Sequence, residues 1–267
     1  MTLVTRMNLQ LQLALQVLLL PLVLSFVVWH AGLKSHRFNL LALFLIWVIS
    51  FVWIKGMPAF PPAEAVEWVV LIGLLYAIIS ISFKSAVIPL LLNAAILLLG
   101  IVILTWPVLI RASDPQFFLE LFLFASLGII IPLLLKRASP SSPALTVGIS
   151  NAGLAAISGL GGSLLIGQLA GVAASLLGAF ILYELLSKLH NSELPPRSLN
   201  LMVNLHIWLA LIARVYAEVA LIPVVLVSLS LLFGLTVRWR YASVVSLLLS
   251  LGALGWLLAT SDNSSYY

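Results

Sequence analysis

Apolar stretches of about twenty residues, broken only by short polar turns, leave this chain very few folds to choose from. "LQLALQVLLLPLVLSFVVW" opens the series and "SVVSLLLSLGALGWLLAT" closes it. A water-facing coat cannot be built over them, because only 8% of the 267 residues are charged while 63% are hydrophobic. In lipid, backbone N–H and C=O groups must be paired within the protein, so each apolar stretch is read as a helix. The expected fold is an all-α, polytopic integral membrane protein of about ten transmembrane helices with short loops. The first stretch reads as a retained span rather than a leader, since it is long, contains Pro21 and lacks a small-x-small cleavage site.

Spans are expected near Leu9–Ala31, Phe38–Ile54, Ala65–Phe83, Ala86–Ile110, Gln116–Leu135, Ser198–Tyr216, Val219–Val237 and Tyr241–Thr260. Between them lies "NAGLAAISGLGGSLLIGQLAGVAASLLGAF", Asn151 to Phe180, which is uncharged, rich in small residues and interrupted by Gly159-Leu160-Gly161-Gly162. Basic residues gather in cytoplasmic loops and can decide whether this region crosses once or twice. With two crossings, Lys34, Arg37, Lys84, Lys136, Arg137, Lys188, Arg197, Arg238 and Arg240 share one side, against Arg6, Lys55, Arg111 and Arg214, nine to four. With one crossing the tally is six to seven and the bias vanishes. Two spans are therefore expected, Pro143 to about Ser158 and about Ser163 to Ser187, with the glycine cluster as their turn. Both termini then fall on the non-cytoplasmic side. The chain reads as one transmembrane domain, divisible into halves 1–137 and 138–267 at the loop from Lys136 to Pro143.

Acids follow the same asymmetry. Glu64, Glu67, Asp114, Glu120, Glu218 and Asp262 fall outside, and only Glu184 and Glu193 inside. In three outer loops a base closes one helix and acids open the next, a pattern that complements helix dipoles. The alternative is an outward polar vestibule or partner surface carried by Glu67, Glu120, Arg214 and Glu218. "WIKGMPAFPPAEAVEW" and "WPVLIRASDPQFFLEL" echo one another: Trp53 to Trp106 and Glu67 to Glu120 are each 53 residues apart. Pro62 and Pro115 suit first helical turns, where a missing N–H costs nothing.

Small residues recur every fourth position at Ala144, Gly148, Ala152 and Ala156, and again at Ser163, Gly167, Gly171, Ser175 and Ala179. Such ladders let helices approach closely in lipid, so Gly148, Ala152, Gly167, Gly171 and Ser175 are read as packing positions. The functional reading makes the same region a groove or moving interface, with Ser150, Asn151, Ser158 and Gln168 as its polar lining. The eighth span is the most polar: Asn200, Asn204, Arg214 and Glu218 fall on one arc, which must meet protein or water. Asn200 and Asn204 therefore join the candidates for a substrate path. His206 points away from that arc and reads as a packed histidine.

The absence of cysteine excludes disulfides, iron–sulfur clusters and thiolate zinc sites. No catalytic constellation, metal site or cofactor motif is visible, and basic residues are too scattered for nucleic acid. Membrane lipid is the expected partner, with a membrane-protein partner or a second copy of the chain also compatible. Two functions fit: a permease-like protein for a small neutral or amphiphilic molecule, without ion-coupling charge, or a non-catalytic subunit scaffolding or docking a partner in a membrane complex.

Overall fold

The computed structural model describes residues 15–30, 36–82, 88–135, 143–187, 194–236 and 241–261. Every regular element there is helical: α1 (Leu15–His30, its first turn of π form), α2 (His36–Lys55), α3 (Ala65–Ser82), α4 (Ile88–Leu109), α5 (Pro115–Leu135), α6 (Pro143–Leu160), α7 (Leu164–Ser187), α8 (Pro196–Tyr216), α9 (Leu221–Thr236) and α10 (Ala242–Ser261). Eight are long and apolar enough to cross a bilayer, and α1 and α9 are shorter apolar helices. The chain is a multi-pass helical membrane protein.

Several sequence landmarks fall outside the described residues. They include the start of the first span, the stretch from Lys136 to Ser142 where a division into halves is expected, and Lys34, Lys84, Lys188, Arg238 and Arg240. Within them, the expected span limits hold to within a few residues, while Pro62 lies in the loop ahead of Ala65 rather than in a first helical turn. Pro115 does open its helix.

The architecture is a ring around one helix. α8 packs against seven others, and those seven close on themselves in the order α2, α3, α4, α5, α9, α6, α7 and back to α2. Every residue of α8 from Leu201 to Ala213 is buried. α1 lies outside the ring against α7 and α2, and α10 lies outside it against α9 and α6. A central helix has no lipid face, so it tolerates Asn, His and Arg that an outer helix would expose to hydrocarbon.

The glycine cluster is a hairpin bend. α6 ends at Leu160, α7 starts at Leu164, and the two pack against each other. Gly162 turns the chain at φ +128°, a conformation that a side chain would strain. At Gly167 the helices touch backbone to backbone: an added Cβ would sit 2.8 Å from the Ala155 carbonyl oxygen and 2.9 Å from the Gly159 nitrogen. Gly162 also abuts the Ala217 carbonyl oxygen, which brings the C-terminal ends of α6 and α8 to the same side.

Candidate functional site

Polar contacts along α8 set its register against the ring. Asn204 donates from Nδ2 to Asn93 Oδ1 of α4 at 2.9 Å. One turn on, Trp208 Nε1 lies 3.5 Å from the Leu97 carbonyl oxygen, and Tyr216 donates to the Leu104 carbonyl oxygen at 2.7 Å. Residue numbers rise together on both helices, so α4 and α8 are parallel. At the opposite end Tyr76 of α3 donates to the Arg197 carbonyl oxygen at 3.0 Å, and the Arg197 guanidinium donates back to the Ser80 carbonyl.

Among the described residues, two ion-pair clusters occupy the end of the bundle where α8 finishes. Arg214 grips Glu120 of α5 with two bonds of 2.8 Å, Nε to Oε2 and Nη2 to Oε1, in the planar fork that only arginine provides. Gln116 supports the same carboxylate from one turn away. Lys55 closes α2 on Glu67 of α3 at 2.6 Å and reaches Glu64 at 3.2 Å, while Glu67 accepts the backbone N–H groups of Ala63 and Glu64. Glu67 and Glu120 thus serve separate pairs. The sequence echo between their loops does not extend to their partners, because Glu67 bonds the lysine of its own hairpin and Glu120 bonds a distant helix. Glu218 stands exposed beyond Arg214, at φ +53°.

The hairpin has two faces with different uses. On its outer side α6 and α7 meet α1 around a groove of about 400 Å³, lined by Val17, Leu18, Ala152, Gly167, Gln168 and Gly171 among others. Its lining carries no charge, and Gln168 is its sole polar side chain among the described residues. Ala152 is exposed on this groove rather than packed between helices. Gly171 faces Val17 of α1, and Ser175 donates to the Val17 carbonyl oxygen at 3.0 Å. A Cβ added at Gly148 would meet Leu177 of α7 at an ordinary 3.5 Å.

Ser150 looks the other way: its hydroxyl bonds Ser230 of α9, whose carbonyl oxygen accepts from Ser246 of α10 at 2.8 Å. Asn151 and Ser158 are fully buried. The substrate-path candidates therefore fall into four places. Gln168 is in the groove, Ser150 in the serine cluster, Asn151 and Ser158 in the interior of the hairpin, and Asn200 and Asn204 on the α8 surface turned toward α3 and α4.

Tyr76 has no distinguishing signal in the sequence, and nothing there names the partner of Asn93 or the isolation of His206, whereas Lys55 ahead of Glu64 and Glu67 is the base-then-acids pattern of the outer loops. For α8 the available signal was its wheel, which combines a polar arc with apolar residues on every other side. Such a helix needs protein all round it. Among the described residues no three His, Asp or Glu side chains gather where they could hold a metal ion. No family model matches this chain, and neither the curated proteins nor the solved structures contain a significant match to it.

Proposed function

We propose that this protein is a permease-like carrier for a small, neutral amphiphile, taken up sideways from the bilayer through the groove between α1, α6 and α7. The observation behind this reading is the groove itself. Among the described residues it is apolar enough for a hydrocarbon tail, open on the outer side of the bundle, and supplied with one uncharged hydrogen-bonding side chain, Gln168, for a polar head. The absence of ionisable groups along its lining speaks for a neutral cargo.

The test is flux of fluorescent monoacylglycerol into liposomes carrying the purified protein. Ala152→Phe fills the groove from an already exposed position and is expected to cut flux at least tenfold while leaving insertion intact. Wild-type flux no faster than in protein-free vesicles overturns the reading. The docking-subunit alternative draws on a different feature, the uncharged stretch "GMPAFPPA" between α2 and α4's neighbour α3, where Met57 is 82% and Phe60 89% exposed. A stoichiometric partner that co-purifies with the wild type and is lost from Phe60→Asp would favour that alternative.

A further inference from the structure

His206 is the one fully buried imidazole described here, and neither of its ring nitrogens has a hydrogen-bond partner among the described residues. Its direction follows from the contacts of its neighbours. Asn204 and Trp208 fix the α4-facing side of α8, and at about 100° per residue His206 lies about 160° from each of them. Opposite α4 in the ring, three places away by either route, stand α6 and α7. His206 therefore faces the inner side of the hairpin.

The facing surface of α6 can be read in the same way. Ser150 and Gly153 mark the side that meets α9 and α10, through Ser230 and Ser250. Gly148 and Ala155 mark the side that meets α7. The arc between them belongs to α8, and it carries Asn151 and Ser158 with Val147 and Leu154. Asn151 donates from Nδ2 to the Val147 carbonyl oxygen, but its Oδ1 is buried and unpartnered, as is Ser158 Oγ. The depths agree as well. α6 and α8 are parallel with their C-terminal ends together, and Asn151 lies nine residues before Leu160 while His206 lies ten before Tyr216.

We infer that His206 and Asn151 form a binding point, in the middle of the bundle, for a neutral hydroxyl group. A neutral imidazole offers one N–H donor and one acceptor nitrogen, and Asn151 Oδ1 offers an acceptor. A hydroxyl meets two of these three groups, accepting from the ring N–H while donating to the amide oxygen, and the second ring nitrogen stays an acceptor. No charged residue lies on the facing arcs of α6 and α8, so a charged ligand would be left without a counter-ion. Water and the hydroxyl of an amphiphile's head share this chemistry. The site lies on the opposite side of the hairpin from the groove and does not depend on transport taking place.

The measurement is ¹⁵N NMR of histidine-labelled protein in lipid nanodiscs, with the His206 signals identified by their loss in His206→Gln. A neutral imidazole whose N–H exchanges magnetisation with water, unchanged by added monoolein, supports the site with water as its occupant. A shift that saturates as monoolein is added supports it with an amphiphile's hydroxyl, and Asn151→Val is then expected to weaken that saturation at least tenfold. His206 signals typical of free imidazole nitrogens, with neither water exchange nor a response to monoolein, overturn the proposal. The wild-type spectra decide this even if Asn151→Val fails to fold.

Discussion

Arg214, at the end of α8, and Glu120, at the start of α5, hold each other through two parallel hydrogen bonds of 2.8 Å. That contact requires the chain to cross the bilayer an even number of times between them. One passage of the region after Pro143 would put the two charges on opposite faces. Two passages, α6 and α7, put them on the same face, where they are found.

The pair is half-sheltered, with Glu120 buried and Arg214 about one quarter exposed. Removing one partner leaves the other without a counter-charge at the bundle's edge. Arg214→Ala is expected to lower unfolding stability by about 3 kcal/mol, the lower end of what breaking a buried pair costs. Arg214→Lys should recover part of this and not all, since a point charge cannot form the fork. Denaturant titration in detergent micelles measures both. A neutral Arg214→Ala would show that the pair contributes little.

Gly167 and Gly148 offer a sharp contrast on the same hairpin. Gly167→Ala drives a methyl group into the α6 backbone, which cannot step aside, and is expected to cost about 1–3 kcal/mol. Gly148→Ala places its methyl group at 3.5 Å from Leu177, an ordinary contact, and should be within about 0.5 kcal/mol of wild type. Paired thermal melts of the two variants would suffice.

Asn93 and Asn204 bond each other between α4 and α8. Either Asn→Leu change alone is expected to cost about 1–2 kcal/mol. The double variant should cost less than the sum, because it leaves no amide stranded. Strict additivity in the double-mutant cycle would mean that the bond is not made in the membrane.

Sidedness follows from the same helix count. Cysteines replacing Asp114 and Glu218 are expected to label from one face, and one replacing Ser82 from the other. The positive-inside distribution expects the first pair to react with an impermeant maleimide on intact cells. Labelling of Asp114→Cys and Glu218→Cys from different sides would contradict the helix order found here.

Hydropathy alone was enough to locate most of the helices, because an apolar run of this length has one stable form in lipid. Lys and Arg counting then separated α6 from α7, where hydropathy shows no gap around Gly161. The wheel of α8 carried a further message, that Asn204 and Arg214 need partners. It could not name Asn93 or Glu120, since the chain separates them by 111 and 94 residues and only ring closure brings them together. His206 was illegible for the opposite reason. On a wheel a solitary imidazole among apolar neighbours resembles an ordinary packed side chain, and its lack of a partner is a property of the assembled bundle. Ala152 shows the limit of the four-residue ladder: spacing marked it as a packing position, yet the offset of α1 leaves it on an open groove.

The enclosure of α8 carries a consequence for synthesis. Six of the seven helices that surround it emerge from the ribosome before it does, and the seventh, α9, follows it. The early helices must therefore wait as an open horseshoe, with Asn93, Glu120 and Asn151 facing an unfilled slot. Only when α8 drops into that slot does Asn93 meet Asn204 and Glu120 meet Arg214, and only α9 then closes the ring. A chain halted after Ser187 would expose them to lipid, and membrane quality control would have a clear mark by which to recognise it.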